Sequence, residues 1–84
     1  MKYYVYILYA SDINRYYIGY TGDNLIERLR KHNTNHKGFT GRSNLWEYKY
    51  TEVFNEKSLA ISREKYIKGR KSRIYLEELI KSSV

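Results

Sequence analysis

Eighty-four residues carry 16 Lys+Arg against 9 Asp+Glu, a net charge of +7, and no cysteine. A chain this short builds one core, here taken as a single domain over 1–84, and no disulfide or thiolate metal site can reinforce it. No apolar run approaches the roughly 20 residues of a membrane span, and the N-terminus lacks the small-residue cleavage site of a signal peptide, so the chain reads as cytoplasmic.

In chain order, Tyr3 to Tyr9 is aromatic and β-branched and reads as a strand. Turn-forming residues follow from Ser11 to Arg15, and Tyr16 to Tyr20 makes a second strand, so the two form an antiparallel hairpin. Gly19 inside that strand marks close approach by another backbone or a side chain. Asp23 is placed to cap a helix from about Asn24 to Asn33, with Leu25, Ile26 and Leu29 as its core stripe. Thr34 to Asn44 is polar, carries Gly38 and Gly41, and reads as a loop. Leu45 to Phe54 returns to strand chemistry, with Trp46, Tyr48 and Tyr50 alternating against Glu47, Lys49 and Thr51. Asn55 can cap a helix from about Glu56 to Lys68 that Gly69 stops. Ser72 can cap a last helix through about Lys81, packed by Ile74, Tyr75, Leu79 and Ile80. The order β-β-α-β-α-α describes an α+β domain with a small, mainly antiparallel sheet.

Six of the basic residues fall between Arg63 and Arg73: Arg63, Lys65, Lys68, Arg70, Lys71 and Arg73. Clustered positive charge calls for an anionic partner, nucleic acid first and a membrane surface second; the bland alternative is a solvated helix face. The 11 tyrosines offer π-faces to bases and hydroxyls to phosphates, but tyrosine is also a good strand residue.

Three polar residues break the core pattern. Arg28 and His32 lie four apart on one helix face, and Leu25, three before Arg28, sets them at the border of the apolar stripe. Glu64 lies four after Ala60 and three before Ile67, which turns a carboxylate inward. A buried carboxylate needs a cation, a metal or strong hydrogen bonds. An internal Arg28–Glu64 salt bridge, or a Glu64 that snorkels from the stripe's edge, would satisfy it.

The hairpin adds phenols: Tyr4, Tyr6 and Leu8 share one face, Tyr3, Val5, Ile7 and Tyr9 the other. Tyr6 and Tyr17 face each other or lie diagonally, depending on register. Phenol, guanidinium, imidazole and carboxylate together suit phosphodiester cleavage. Arginine neutralises developing phosphorane charge, a carboxylate-held divalent ion activates water, and a phenol or imidazole relays a proton. A phenol with its ordinary pKa of about 10 needs a nearby cation to serve as a base.

At these residues the chain resembles the GIY-YIG nuclease superfamily, most closely its small stand-alone bacterial members. The markers are Tyr4-Val5-Tyr6, Tyr17-Ile18-Gly19-Tyr20-Thr21, Glu27-Arg28-Leu29-Arg30-Lys31-His32, and Ser58-Leu59-Ala60-Ile61-Ser62-Arg63-Glu64. Their order covers nearly the whole chain. The resemblance implies a three-stranded antiparallel sheet flanked by helices and cleavage of DNA assisted by one divalent ion. It implies that Glu64 holds that ion, Mg²⁺ or Mn²⁺, with waters completing an octahedron. By the same resemblance Arg28 binds the scissile phosphate, Tyr6 is the general base, Tyr17 orients the water or touches the phosphate, and His32 assists Tyr6 or binds phosphate. Which phenol takes the proton stays open. Tyr4 stands where the name-giving glycine would be. The late asparagine of larger members is missing, since no asparagine follows Asn55, and Thr40 or Ser43 is the substitute the loop offers.

Three functions compete: a metal-dependent DNA endonuclease of low sequence specificity, a catalytically weak or inactive nucleic-acid-binding module, and a structural domain with a solvated basic helix. The complete set Tyr6, Tyr17, Arg28 and Glu64 favours the enzyme, because binding alone does not need an inward Glu64. Larger relatives gain targeting from attached domains. Here the basic residues from Arg63 to Arg73 are the candidate DNA contact, and they would read phosphates on duplex, single-stranded or branched DNA rather than sequence. A protein partner or a homodimer could supply the rest.

Overall fold

The run Tyr3–Ala10, dense in aromatic and β-branched residues, becomes the central strand, and its middle, Val5 to Leu8, is buried on both faces. In a computed structural model describing residues 1–34 and 38–83, β1 (Tyr3–Ala10) lies between β2 (Arg15–Thr21) and β3 (Trp46–Phe54), antiparallel to both, in the order β2-β1-β3. Helix α1 (Leu25–Thr34) precedes a short 3₁₀ helix (Phe39–Arg42), and α2 (Lys57–Gly69) and α3 (Arg73–Ser82) follow β3. The predicted α+β class and antiparallel sheet are what is found; the part of the predicted loop at 35–37 lies outside the described residues.

Alternation along β1 divides the core in two. Val5 and Ile7 pack with Ala60, Ile67 and Leu76 under α2 and α3, while Tyr6, Leu8 and Ala10 pack with Trp46 and Leu29 under α1. Val5, Tyr6, Ile7 and Leu8 are all 0% exposed. Burying a side chain of this size contributes about 1.5–3 kcal/mol, so one strand anchors both layers. The third strand serves both layers through a bulge. Ile7 pairs with Tyr50 and Leu8 with Tyr48, which leaves Lys49 extra. Trp46 and Tyr48 therefore join the α1 layer and Tyr50 and Phe54 the α2/α3 layer. The expected common face of Trp46, Tyr48 and Tyr50 is corrected by that one residue.

The helix ends also refine the sequence reading. Asn24, not Asp23, caps α1, its Oδ1 accepting from the amides of Ile26 (2.8 Å) and Glu27 (3.3 Å). Glu56, not Asn55, occupies the cap position of α2, without a side-chain bond. Ser72 caps α3 as expected, accepting from Tyr75 N at 3.1 Å. Gly69 does not stop α2: it is the last helical residue, and Lys71 takes the left-handed conformation at φ 48°. A side chain there costs about 1–2 kcal/mol relative to the right-handed form. Ile26 and Ile74, assigned inward by pattern, are 80% and 69% exposed. The inward face of α1 is instead Leu25, Arg28, Leu29 and His32, so two polar side chains hold positions of the packing stripe.

Gly19 explains how the layers meet. It pairs with Tyr6 across β1 and β2, and a Cβ there would stand 2.6 Å from the Tyr6 Oη and 3.1 Å from the Tyr17 ring. The close approach expected at this glycine is thus a side chain. Tyr6 cannot yield, because it is enclosed and hydrogen-bonded at its tip. Gly19→Ala is expected to destabilise the domain by about 1–3 kcal/mol, measured by urea denaturation.

Candidate active site

Tyr6 crosses Gly19 and ends between two side chains of α1. His32 Nε2 lies 2.8 Å from its hydroxyl, and Arg28 Nε donates to the same oxygen at 3.2 Å. Helix arithmetic dictates the pair: positions four apart share a face, and this face packs on the sheet. Burial, with the charge of Arg28, presses the His32 imidazolium down to about 4. The ring is therefore neutral near pH 7, and because Arg28 donates to the Tyr6 oxygen, the hydroxyl donates its hydrogen bond to Nε2, which leaves the ring proton on Nδ1. Burial raises the Tyr6 phenol above its ordinary value, and the hydrogen bond and charge of Arg28 only partly offset it, while Tyr17 and Glu64 push the same way as burial. The cation expected to lower this phenol is in place, but desolvation outweighs it. Tyr48, edge-on to Tyr6 at 5.5 Å, is pushed up to about 12 chiefly by burial and donates to Leu25 O at 2.7 Å.

Tyr17 forms the wall beside this trio. Register sets it diagonal to Tyr6, with ring centroids 6.5 Å apart, and 5.1 Å from the His32 ring. Phe39 stacks on it at 6.2 Å. Between them opens a cleft of about 220 Å³ lined, among the described residues, by Tyr17, Arg28, Lys31, His32, Gly38, Phe39 and Thr40, which bring two full cations and no carboxylate. Asn33 and Trp46 hold its base. Trp46 N donates to Asn33 Oδ1 at 2.8 Å, Asn33 Nδ2 to Trp46 O at 3.0 Å, and the indole N–H to Thr40 O at 2.8 Å.

Glu64 approaches from α2. Its side chain is 14% exposed, and Lys68 Nζ stands 3.5 Å from the carboxylate and 5.9 Å from the centre of the Tyr17 ring. Glu64, Lys68, Tyr17, Tyr6, His32 and Arg28 thus form one continuous neighbourhood. The ion pair that Glu64 makes is with Lys68, and the internal Arg28–Glu64 bridge allowed by sequence is not made. Among the described residues no three His, Cys, Asp or Glu side chains converge as a metal cage. One nearly enclosed carboxylate with a single loose ammonium contact does fit a hard divalent cation of the kind that keeps most of its waters and shares substrate phosphate.

Of the two loop residues offered as substitutes for the late asparagine, Thr40 lines the cleft, but Ser43 does not. Its hydroxyl donates to Asp12 at 2.7 Å and accepts from Leu45 N. Sequence reasoning missed Lys31 and Phe39; Lys31 lies three after Arg28 and was legible, whereas Phe39 sits in a loop without periodicity.

The six basic residues do not make one surface. Arg63 lies against β3, its Nε and a terminal nitrogen bonding Glu52 at 3.0–3.2 Å, with Tyr50 on the same carboxylate. Burial works to raise the Glu52 carboxyl, but the bonds from Arg63 and Tyr50 prevail and hold it below the usual range. Arg73 grips the hairpin through Asn14 O at 3.1 Å and Asn14 Oδ1 at 2.5 Å, and Arg70 covers the Tyr75 ring at 4.8 Å. Lys65 and Lys71 are exposed, and Lys68 belongs to the Glu64 neighbourhood.

Two expectations follow. His32 binds a proton near pH 6.5 when unfolded and only near 4 when folded, so the unfolded state holds more protons in that window and stability falls as pH drops through it. The wild type should lose roughly 2 kcal/mol between pH 6.5 and 4 beyond what His32→Gln loses, read from urea midpoints. Arg63→Ala should cost about 1–3 kcal/mol by leaving Glu52 unpaired, while DNA affinity in a filter-binding assay stays within two-fold or so of wild type.

Comparison with known proteins identifies the family of this fold. A model of the GIY-YIG catalytic domain matches residues 2–77. Among solved structures, the chain is similar to the UPF0213 protein BH0048 from Bacillus halodurans, determined by solution NMR. The likeness is 30% in sequence with a TM-score of 0.57, over 96% of this chain and 84% of that one. No curated protein matches. With the family model spanning nearly all of it, the chain belongs to the GIY-YIG catalytic domain family.

Proposed function

We propose that this domain is an endonuclease that hydrolyses DNA phosphodiester bonds with low sequence specificity, assisted by Mg²⁺ or Mn²⁺ held at Glu64. The observation that carries the reading is the hydrogen-bonded chain Arg28–Tyr6–His32 opening on a cationic cleft. Arg28 spends its Nε on Tyr6, which aims the planar guanidinium so that its outer N–H groups can take a phosphate bidentately. Lys31 adds a second positive charge to the same wall. The bound divalent ion would supply charge neutralisation at the phosphate and acidify water.

The proton has a route within the chain. Tyr17, on the cleft wall, orients the attacking water. A proton accepted by the Tyr6 oxygen drives the Tyr6 proton onto His32 Nε2, so the phenol never has to persist as phenolate despite its raised pKa. The imidazolium formed is unfavourable beside Arg28 alone and is relieved by the anionic phosphate.

Two observations favour a second reading, a weak or inactive nucleic-acid-binding module. Tyr6 is enclosed, and the Lys68 ammonium already partners Glu64. Labelled single-stranded, duplex and branched DNA should decide between them. With Mg²⁺ or Mn²⁺ the wild type should cut, EDTA should abolish cutting, and Arg28→Ala and Glu64→Gln should each lose about 100-fold or more. Variants that cut as well as wild type would sink the assignment, and binding without cutting under every condition would favour the module.

A further inference from the structure

A second concavity lies across β2 from the cleft, between that edge strand, the end of α2 and the start of α3. It has a volume of about 280 Å³, and its floor is apolar: Ile18, Ile67 and Leu76. Its rim carries Arg15, Lys68, Lys71 and Arg73, and no carboxylate lines it. Glu77 lies nearby and takes up part of the Arg73 charge at 3.4 Å. Lys68 is likewise shared with Glu64 at 3.5 Å, so Arg15 and Lys71 are the rim charges with no carboxylate partner among the described residues, and a bound anion would offset them.

Lys71 sharpens the point. Its backbone is left-handed, a conformation that glycine adopts without penalty. The chain nevertheless keeps a cationic side chain there, on the rim. Backbone strain retained at one residue is a pointer to function. The concavity is also connected to the cleft: Lys68 lines it, and the same ammonium stands 5.9 Å over the Tyr17 ring.

We propose that this groove receives one unpaired nucleotide of the strand being cut, its base on Ile18 above the buried Ile67 and its phosphates on Arg15, Lys68 and Lys71. The inference rests on the nuclease reading and names its substrate class, DNA with an unpaired nucleotide beside the scissile bond. A base within a duplex is stacked and paired on all sides and cannot reach such a floor without extrusion, which is least costly where the base is already unpaired.

Binding measured in EDTA keeps the chemistry silent. Fluorescence anisotropy would compare a blunt hairpin duplex, the same duplex with one unpaired thymidine, and that duplex with an abasic residue in its place. The unpaired thymidine should bind about ten-fold tighter than either control, within the range expected for one stacked base. The methyl resonances of Ile18 and Ile67 should shift with the thymidine substrate and not with the abasic one. Lys71→Gly should raise Tm by about 4 °C, as removal of a backbone penalty on this scale would in a domain of this size, yet bind the thymidine DNA several-fold more weakly through the lost phosphate contact. Lys81→Glu should keep the preference. Equal affinities for the three DNAs, unmoved methyl resonances, or a Lys71→Gly protein with wild-type affinity for the thymidine DNA would overturn the proposal. Preference in EDTA without cutting in Mg²⁺ would leave the groove standing and remove the nuclease reading; cutting without preference would do the reverse.

Discussion

A phenol closed inside a protein must find hydrogen-bond partners, and Tyr6 makes that demand at the middle of the one strand buried on both sides. Its hydroxyl is satisfied by Arg28 and His32, so α1 must lie with these two residues inward and its isoleucine outward. The ring needs a strand neighbour with no side chain, so position 19 is glycine. The imidazole must be neutral to accept, and burial beside a guanidinium makes it so. Fold and chemistry are here one constraint: the groups that suit a phosphate site are the groups that complete the α1 layer.

The cost of this arrangement is spread over the other side of the sheet. The α1 face mixes phenol, imidazole and guanidinium with Leu8, Ala10 and Trp46, so part of its interior must be hydrogen-bonded as well as packed. Val5, Ile7, Ala60, Ile67 and Leu76 form a conventional apolar cluster on the opposite face. The bulge at Lys49 lets β3 contribute Trp46 and Tyr48 to one layer and Tyr50 and Phe54 to the other. Without the bulge, strict alternation would have sent Trp46, Tyr48, Tyr50 and Phe54 all to one layer. The Arg63–Glu52–Tyr50 cluster then ties α2 to the same strand. Cations that look like one surface in one dimension are divided by this packing among scaffold contacts, solvent, the Glu64 neighbourhood and the groove rim.

Much of this was legible in the sequence and some was not, for separable reasons. The element order, the two faces of β1 and the tight contact at Gly19 follow from periods and from the special status of glycine. Arg28, His32 and Glu64 stood out because charge at inward helix positions is costly. Ile26 misled because hydrophobicity names a candidate for burial but not the face; the partner of Tyr6 decided that. The bulge left no mark in the alternating pattern, since inserting one residue changes direction without changing composition. The fate of Arg63 and Arg73 depended on Glu52 and Asn14, 11 and 59 residues away in the chain, which no local pattern reaches. The Lys68–Glu64 pair was readable, being four apart on a helix, but the charge cluster around it invited a reading as surface.

Lys68 is where the site and its surroundings meet. It is 3.5 Å from the Glu64 carboxylate, it covers Tyr17, and it lines the apolar groove beyond β2. Any cation that takes Glu64 competes with this ammonium for the same oxygens. Any phosphate lying along β2 offers the ammonium a different partner. Both pulls act in one direction, away from the carboxylate, so anion contact at the groove and cation contact at Glu64 favour each other through a single side chain. Coupling of this kind is reciprocal by thermodynamic necessity, and it needs no movement of the sheet or helices, because a lysine has four flexible carbons with which to change partners.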